Sequence, residues 1–383
     1  MSILAIKPVR LTPLKYFGDM GGEALQTDYI LSKLITQNIL YTSYHEPQSI
    51  SDIAELVGIE PSLVEEEVVF LEAHGYMDIN IARKNIGNKA PPPKFLTSIF
   101  IIVPSLDLLE AQHQLASTYA QEFCAGYIPL LLKKMQDFDP KIFYTPENDF
   151  NFLFWAITVF ACTRKIITPG RAEQLQKFAV LRKDGSQNIV YTSIDKELNT
   201  SFDPKKYHTF GPIEHSFEEH GYYPIRSWQF NTFYDNRLDG WGRSMSIDDV
   251  MLYGFLKEGG AHQFNYDHLS DDLFQKNLLV AHNGSLKVNK VVLTMTLKEL
   301  EHFLPPLPSA LIDLKQELDD QINKLLPPCL PERMQQLGQL LYPVTTFKNV
   351  IISHILEQCL LHQFLKPLPE HQKKTVNMIM AKK

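Results

Sequence analysis

His208, His215 and His220 stand close to Glu214 and Glu219, residue types that ligate zinc. The step from His215 to His220 does not bring both rings to one helical face, and no HExxH pattern is present. The group is read as surface histidines, with no metal centre and no cofactor expected. A second candidate is GYYPIRSWQFNTFYDNRLDGWGRSMSIDDVMLYGF, which sets aromatic rings among arginines and aspartates. Such a mixture can line a small-molecule pocket, whose walls here would be Trp228, Tyr234, Arg237 and Trp241. The same mixture serves an irregular, loop-rich core, and that use is favoured. No GxSxG elbow, P-loop or GxGxxG after a strand occurs. The glycine-rich GDMGG at 18–22 lacks a strand–turn–helix setting and reads as a loop. The chain is therefore not read as an enzyme.

A third stretch, GIEPSLVEEEVVFLEAHGY at 58–76, concerns recognition of a charged surface. If Val64, Val68 and Leu71 face a core, then Ser62, Glu65, Glu66, Val69 and Glu72 point outward. A glutamate can accept a hydrogen bond from cytosine N4. Phosphate neutralisation nevertheless dominates affinity for DNA, and residues 34–82 hold nine acids and no lysine or arginine. Arg83, Lys84, Lys89 and Lys94 follow as the local compensation. A later stretch, Leu273 to Lys298, has the opposite balance, with Lys276, Lys287, Lys290, Lys298 and no acid. Lys287 and Lys290 are thus electrostatic candidates for phosphate contact. Lysines also guard exposed strand edges against aggregation, and that plainer use is favoured.

The elements that would position these residues are legible from caps and periodicity. Residues 23–44 carry a helical apolar pattern, broken by Pro47. Ser49 with Asp52 makes a capping box for a short helix over Ile53, Leu56 and Val57 that stops at Gly58. Pro61 suits the first turn of the next helix, which ends at Gly75. Two β-rich runs follow, Tyr76 to Ala82 and Phe95 to Val103, joined by a Lys/Asn/Gly/Pro-rich loop. Helix, turn, helix and hairpin in this order spell a winged helix.

On those residues, ISDIAELVGIEPSLVEEEVVFLEAHGYMDI resembles the winged helix-turn-helix of bacterial transcriptional regulators of the MarR and ArsR type. Ala54, Gly58, Val64, Leu71 and Gly75 stand at that pattern's structural positions. The match covers about a fifth of the chain, and such positions specify a fold more than its use. The resemblance implies a bacterial transcriptional regulator with a C-terminal sensor or assembly domain. Ser62 and Glu66 would then face base edges, while Arg83, Lys84, Lys89 and Lys94 would hold phosphate. Ligand sensing in the 220–255 region would shift domain orientation. The alternative is an interaction protein that does not bind DNA and docks a protein partner through the acidic helix 62–74. A homo-oligomer is expected by analogy with proteins of this kind.

The expected class is α+β, predominantly helical, with a winged-helix domain at 1–103 and a mixed domain at 104–245. A third block, 246–383, would hold a second winged-helix-like unit, because Ser246–Asp249, a helix near Ser270 and the Asn283–Gly284 turn repeat the helix, helix, hairpin order. Within the middle block, Asp184–Gly185 marks another hairpin, and the run from Phe150 to Cys162 reads as a buried helix too short to span a bilayer. The proline-punctuated tail reads as three helices. Four scattered cysteines without CxxC spacing fit reduced thiols, and the start lacks a signal-peptide core. A cytoplasmic protein that makes no membrane contact is expected. The net charge of −7 gives no global attraction for nucleic acid, so any such contact must be local.

Overall fold

A computed structural model describes residues 9–12, 15–18, 31–80, 92–136, 142–143, 150–183, 185–194, 215–216, 225–229, 273–275, 278–282, 285–289, 291–293, 297–369 and 377–381. In chain order the first elements are β1 (Lys15–Gly18), α1 (Leu34–Thr42), β2 (Gln48–Ser49), α2 (Ile50–Val57), α3 (Pro61–Ala73), β3 (Met77–Asn80), β4 (Lys94–Thr97) and β5 (Phe100–Ile102). Next come α4 (Leu106–Gly126), α5 (Ile128–Gln136), β6 (Ile142–Phe143), α6 (Phe150–Lys165), α7 (Arg171–Gln176), β7 (Val180–Leu181) and β8 (Gln187–Ser193). Then follow β9 (His215–Ser216), β10 (Ile225–Gln229), β11 (Leu279–His282), β12 (Ser285–Val288) and β13 (Val291–Leu293). The tail holds α8 (Leu297–Phe303), α9 (Ser309–Leu325), α10 (Glu332–Val344), α11 (Thr346–Leu361) and β14 (Asn377–Ala381). The class is α+β, with helices dominating and the sheets small and mostly antiparallel.

The chain divides into two compact units. The first comprises Met1–Glu110, Pro169–Asn199 and Gln321–Tyr342; the second takes Ala111–Thr168, Thr200–Asp320 and Pro343–Lys383. Segments far apart in sequence thus share a unit.

In the first unit, α1, α2 and α3 pack against a three-stranded sheet in the order β2-β4-β3. Local chemistry places each helix. Ser49 caps α2 and accepts from the Asp52 amide, while the Asp52 carboxylate takes the Ser49 amide. Gly58 closes α2 in the left-handed region at φ 76°, and Pro61 opens α3. Val64, Val68 and Leu71 are fully buried at 0% exposure, the stripe their spacing predicts. The second β-rich run is divided. Lys94–Thr97 stays in this sheet, whereas Phe100–Ile102 pairs in parallel with β8 in the sheet β1-β8-β5. The break falls at Ser98 and Ile99, where the Ser98 amide donates to the Tyr76 carbonyl and the Ser98 hydroxyl to that of Gly75. The hairpin about residue 185 is present as β7 and β8, with Gly185 at φ 83°. Its Arg182 stacks on the Tyr76 ring, 4.7 Å to the centroid, and donates to the Gly75 carbonyl.

In the second unit, α6 is buried on every side from Phe152 to Thr163, as a helix apolar all round must be. It lies beside α5 and α11. Trp155 Nε1 donates to the Lys366 carbonyl over 2.9 Å. Tyr127 donates its hydroxyl to Pro305 over 3.2 Å. A five-stranded sheet runs β6-β13-β14-β10-β9, and β11-β12 is a separate hairpin. The tail, expected from the sequence to be helical, carries strand β14 near its end. The strand pairs antiparallel with β10 and parallel with β13. The β11–β12 hairpin, with His282 opposite Ser285, agrees with a two-residue Asn283–Gly284 connection. The expected helix at 246–260 lies outside the described residues. Among the described residues no helix is long and apolar enough to cross a membrane.

Candidate functional site

The outward face of α3 and the groove it shares with α2 carry the residues singled out from the sequence of the first unit. Ser62, Glu65, Glu66 and Val69 are exposed, as predicted, and Glu72 is half-buried. Leu63 joins them at 52% exposed, and Val69 is 56% exposed. Periodicity alone did not single out Leu63, although it lies outside the 64-68-71 stripe. The third glutamate behaves differently. Glu67 turns inward and accepts from the Thr36 hydroxyl of α1, so it supports packing. Between α2 and α3 runs an open groove of ≈ 610 Å³, lined among others by Ser51, Ala54, Glu55, Ile59, Glu60 and Leu63. Among the described residues its lining is apolar, small or acidic, with no lysine or arginine.

Electrostatics decide what this face can hold. The free amides at the N-terminus of a helix would ordinarily welcome a phosphate. At α3 the N-cap position is Glu60, whose side chain makes no capping bond. The neighbouring cation, Lys94, is exposed at the start of β4. The Asp52 carboxyl sits below the usual carboxylate range, held first by the Ser49 hydroxyl and then by the Ser49 amide, with Lys94 adding a smaller pull. The surface offers Leu63 and Val69 for apolar contact and Glu55, Glu60, Glu65 and Glu66 for pairing with cations.

Of the other residues singled out from sequence, Arg83, Lys84, Lys89, Lys290, Tyr234, Arg237 and Trp241 lie outside the described residues. Lys287 falls in β12, opposite Val280. Trp228 falls in β10, opposite Met378 of β14, so its backbone belongs to a sheet. His215 falls in β9, opposite Ser227, and His208 and His220 lie outside the described residues. Among the described residues no group of three metal-ligating side chains is found. The four cysteines are free thiols, all buried. No family model, curated protein or solved structure was found to match the chain.

Proposed function

We propose that residues 34–97 form a winged helix-turn-helix used as a protein-docking module, and that α3 and its groove meet a basic partner surface with an apolar centre. The observation that carries this reading is the composition of the exposed α3 face, Leu63 and Val69 set among unpaired glutamates where a DNA reader would present cations. An amphipathic helix or peptide with lysines or arginines flanking an aliphatic stripe suits such a face, because charge complementarity steers it and apolar burial holds it. The test compares binding of the full chain to its own upstream duplex and to a scrambled one across salt concentrations. The wild type is expected to bind neither duplex at about 50 mM salt, and Glu65→Lys/Glu66→Lys is expected to gain non-specific DNA affinity. Glu67 is left in place because it bonds Thr36. Specific, steeply salt-dependent binding of the upstream duplex by the wild type would defeat the docking reading.

That outcome would favour a second reading, a transcriptional regulator that grips DNA through the wing. Two observations support it. The order of α1, α2, α3 and the antiparallel pair β3–β4 agrees with the helix, turn, helix and hairpin order read from the sequence, and Lys94 is exposed at the start of β4, after the segment of sequence that carries Arg83, Lys84 and Lys89. In this reading Ser62 and Glu66 face base edges, and the rest of the chain senses a ligand or assembles the protein.

A further inference from the structure

Two thiols of the second unit touch although 235 positions of sequence separate them. Cys124 stands in the last turn of α4 and Cys359 in the last turn of α11, with their sulfurs 3.5 Å apart. The Cys124 thiol also lies 3.5 Å from the Ile355 carbonyl, one turn back along α11. Both side chains are closed to solvent, Cys124 at 1% exposure and Cys359 at 0%. A buried cysteine ordinarily serves as a small apolar filler. Two in contact can do more, because a disulfide needs sulfurs that approach each other from separate elements. Closing from 3.5 Å to a bond of about 2.05 Å moves each sulfur by about 0.7 Å, within the excursions of a packed side chain.

We propose that Cys124 and Cys359 are a redox-responsive pair, thiols at rest, which a peroxide converts into a disulfide tying α4 to α11. The Cys124 contact first, and burial second, hold the Cys359 thiol well above its usual range. The closed pair therefore resists attack, and oxidation waits on local opening. Cys359 is placed to open first, since α11 ends two residues later at Leu361, which is 72% exposed, whereas α4 runs almost directly into α5. Once exposed, the Cys359 sulfur attacks the peroxide: an S–O bond forms, the O–O bond breaks and one water leaves. On reclosure the Cys124 sulfur attacks the sulfenic sulfur: the S–S bond forms, the S–O bond breaks and a second water carries away the Cys124 proton. Two thiols lose two electrons, and the peroxide gains them. The pair belongs to the second unit and not to the one that bears the α3 face, so its failure would leave the docking reading untouched.

Hydrogen peroxide applied to the native full chain tests the proposal. Remaining thiols are alkylated with iodoacetamide in denaturant, and the digest is mapped by mass spectrometry without reduction. A peptide joining Cys124 to Cys359 is expected, lost on treatment with dithiothreitol. Cys162, also buried in this unit, is the competing thiol, so the same bond is expected to persist in Cys162→Ala. Because the bond closes a long loop of the unfolded chain, the oxidised protein should melt ~4 °C or more above the reduced one. Both thiols still free after oxidation, sulfinic acid at either without the bond, or a bond from either to Cys162 instead would each overturn the proposal. So would a crosslinked protein that melts no higher than the reduced one, since the fold would then not accommodate the bond.

Discussion

Acidification should loosen the second unit through one histidine. His113 of α4 is 8% exposed, and its Nδ1 lies 3.0 Å from Nε2 of His354 on α11. The Nδ1 of His354 faces Glu357 at 3.8 Å. Burial, and secondarily the charge of His354, pulls His113 down to about 3 from the usual 6.5. Its folded pKa is therefore depressed, so the folded state excludes a proton that the unfolded state binds. The stability this group gives is present above about 6.5 and is lost progressively as pH falls from there toward 3. At pH 5 an unfolded histidine is protonated roughly 30:1, which corresponds to about 2 kcal/mol if the whole shift is realised and about 1–2 kcal/mol after solvent screening. For a unit of this size that is roughly 2–8 °C in Tm. Carboxylates titrate over part of the same range, so the informative quantity is the difference between wild type and His113→Gln. The glutamine amide can still bond His354 and carries no proton to gain. Thermal midpoints taken every half unit from pH 7.5 to 4.5 should show the wild type falling more steeply below 6.5. Parallel curves would refute the assignment, because they would mean that His113 is protonated as readily in the fold as out of it.

Three further outcomes test the first unit. Ser49→Ala removes a hydroxyl that accepts from the Asp52 amide and should cost about 1 kcal/mol in denaturant unfolding. Adjacent positions on α3 should respond oppositely: Val68→Ala, at a fully buried site, should cost about 1–3 kcal/mol, whereas Val69→Ala, at an exposed one, should leave unfolding within about 0.5 kcal/mol of wild type. Equal effects at 68 and 69 would mean that the buried stripe is misplaced. Gly75→Ala should destabilise by about 1 kcal/mol or more, since Gly75 holds φ 72° and a Cβ there would stand 3.3 Å from an Arg182 nitrogen. A neutral or stabilising Gly75→Ala in the same unfolding assay would contradict that backbone conformation.

The candidate site was partly legible because its signals are local. The capping box at Ser49, the stop at Gly58, Pro61 in the first turn and the 64-68-71 stripe each act within a few residues, and each is present. The exposure of Ser62, Glu65, Glu66 and Val69 follows once the stripe is buried. Glu67 was not separable from its neighbours, since only the approach of Thr36 on another helix turns it inward. The aromatic segment around Trp228 carried no comparable local signal, and composition alone could not distinguish a pocket wall from a strand. In the structure the Trp228 backbone pairs with Met378, far along the chain.

The sequence by itself determined where α2 and α3 begin and end, which face of α3 is covered and where the charge along them lies, because propensity, capping and periodicity are properties of neighbouring residues. The tertiary structure alone decided that Phe100–Ile102 leaves its hairpin for β8, and that Arg333 of α10 donates to the carbonyls of Tyr44 and Thr97. It also decided that His113 meets His354 across 241 positions. Such pairings are chosen when buried polar groups compete for partners across packed elements, a competition whose outcome depends on every element at once and is written in no single stretch of the chain.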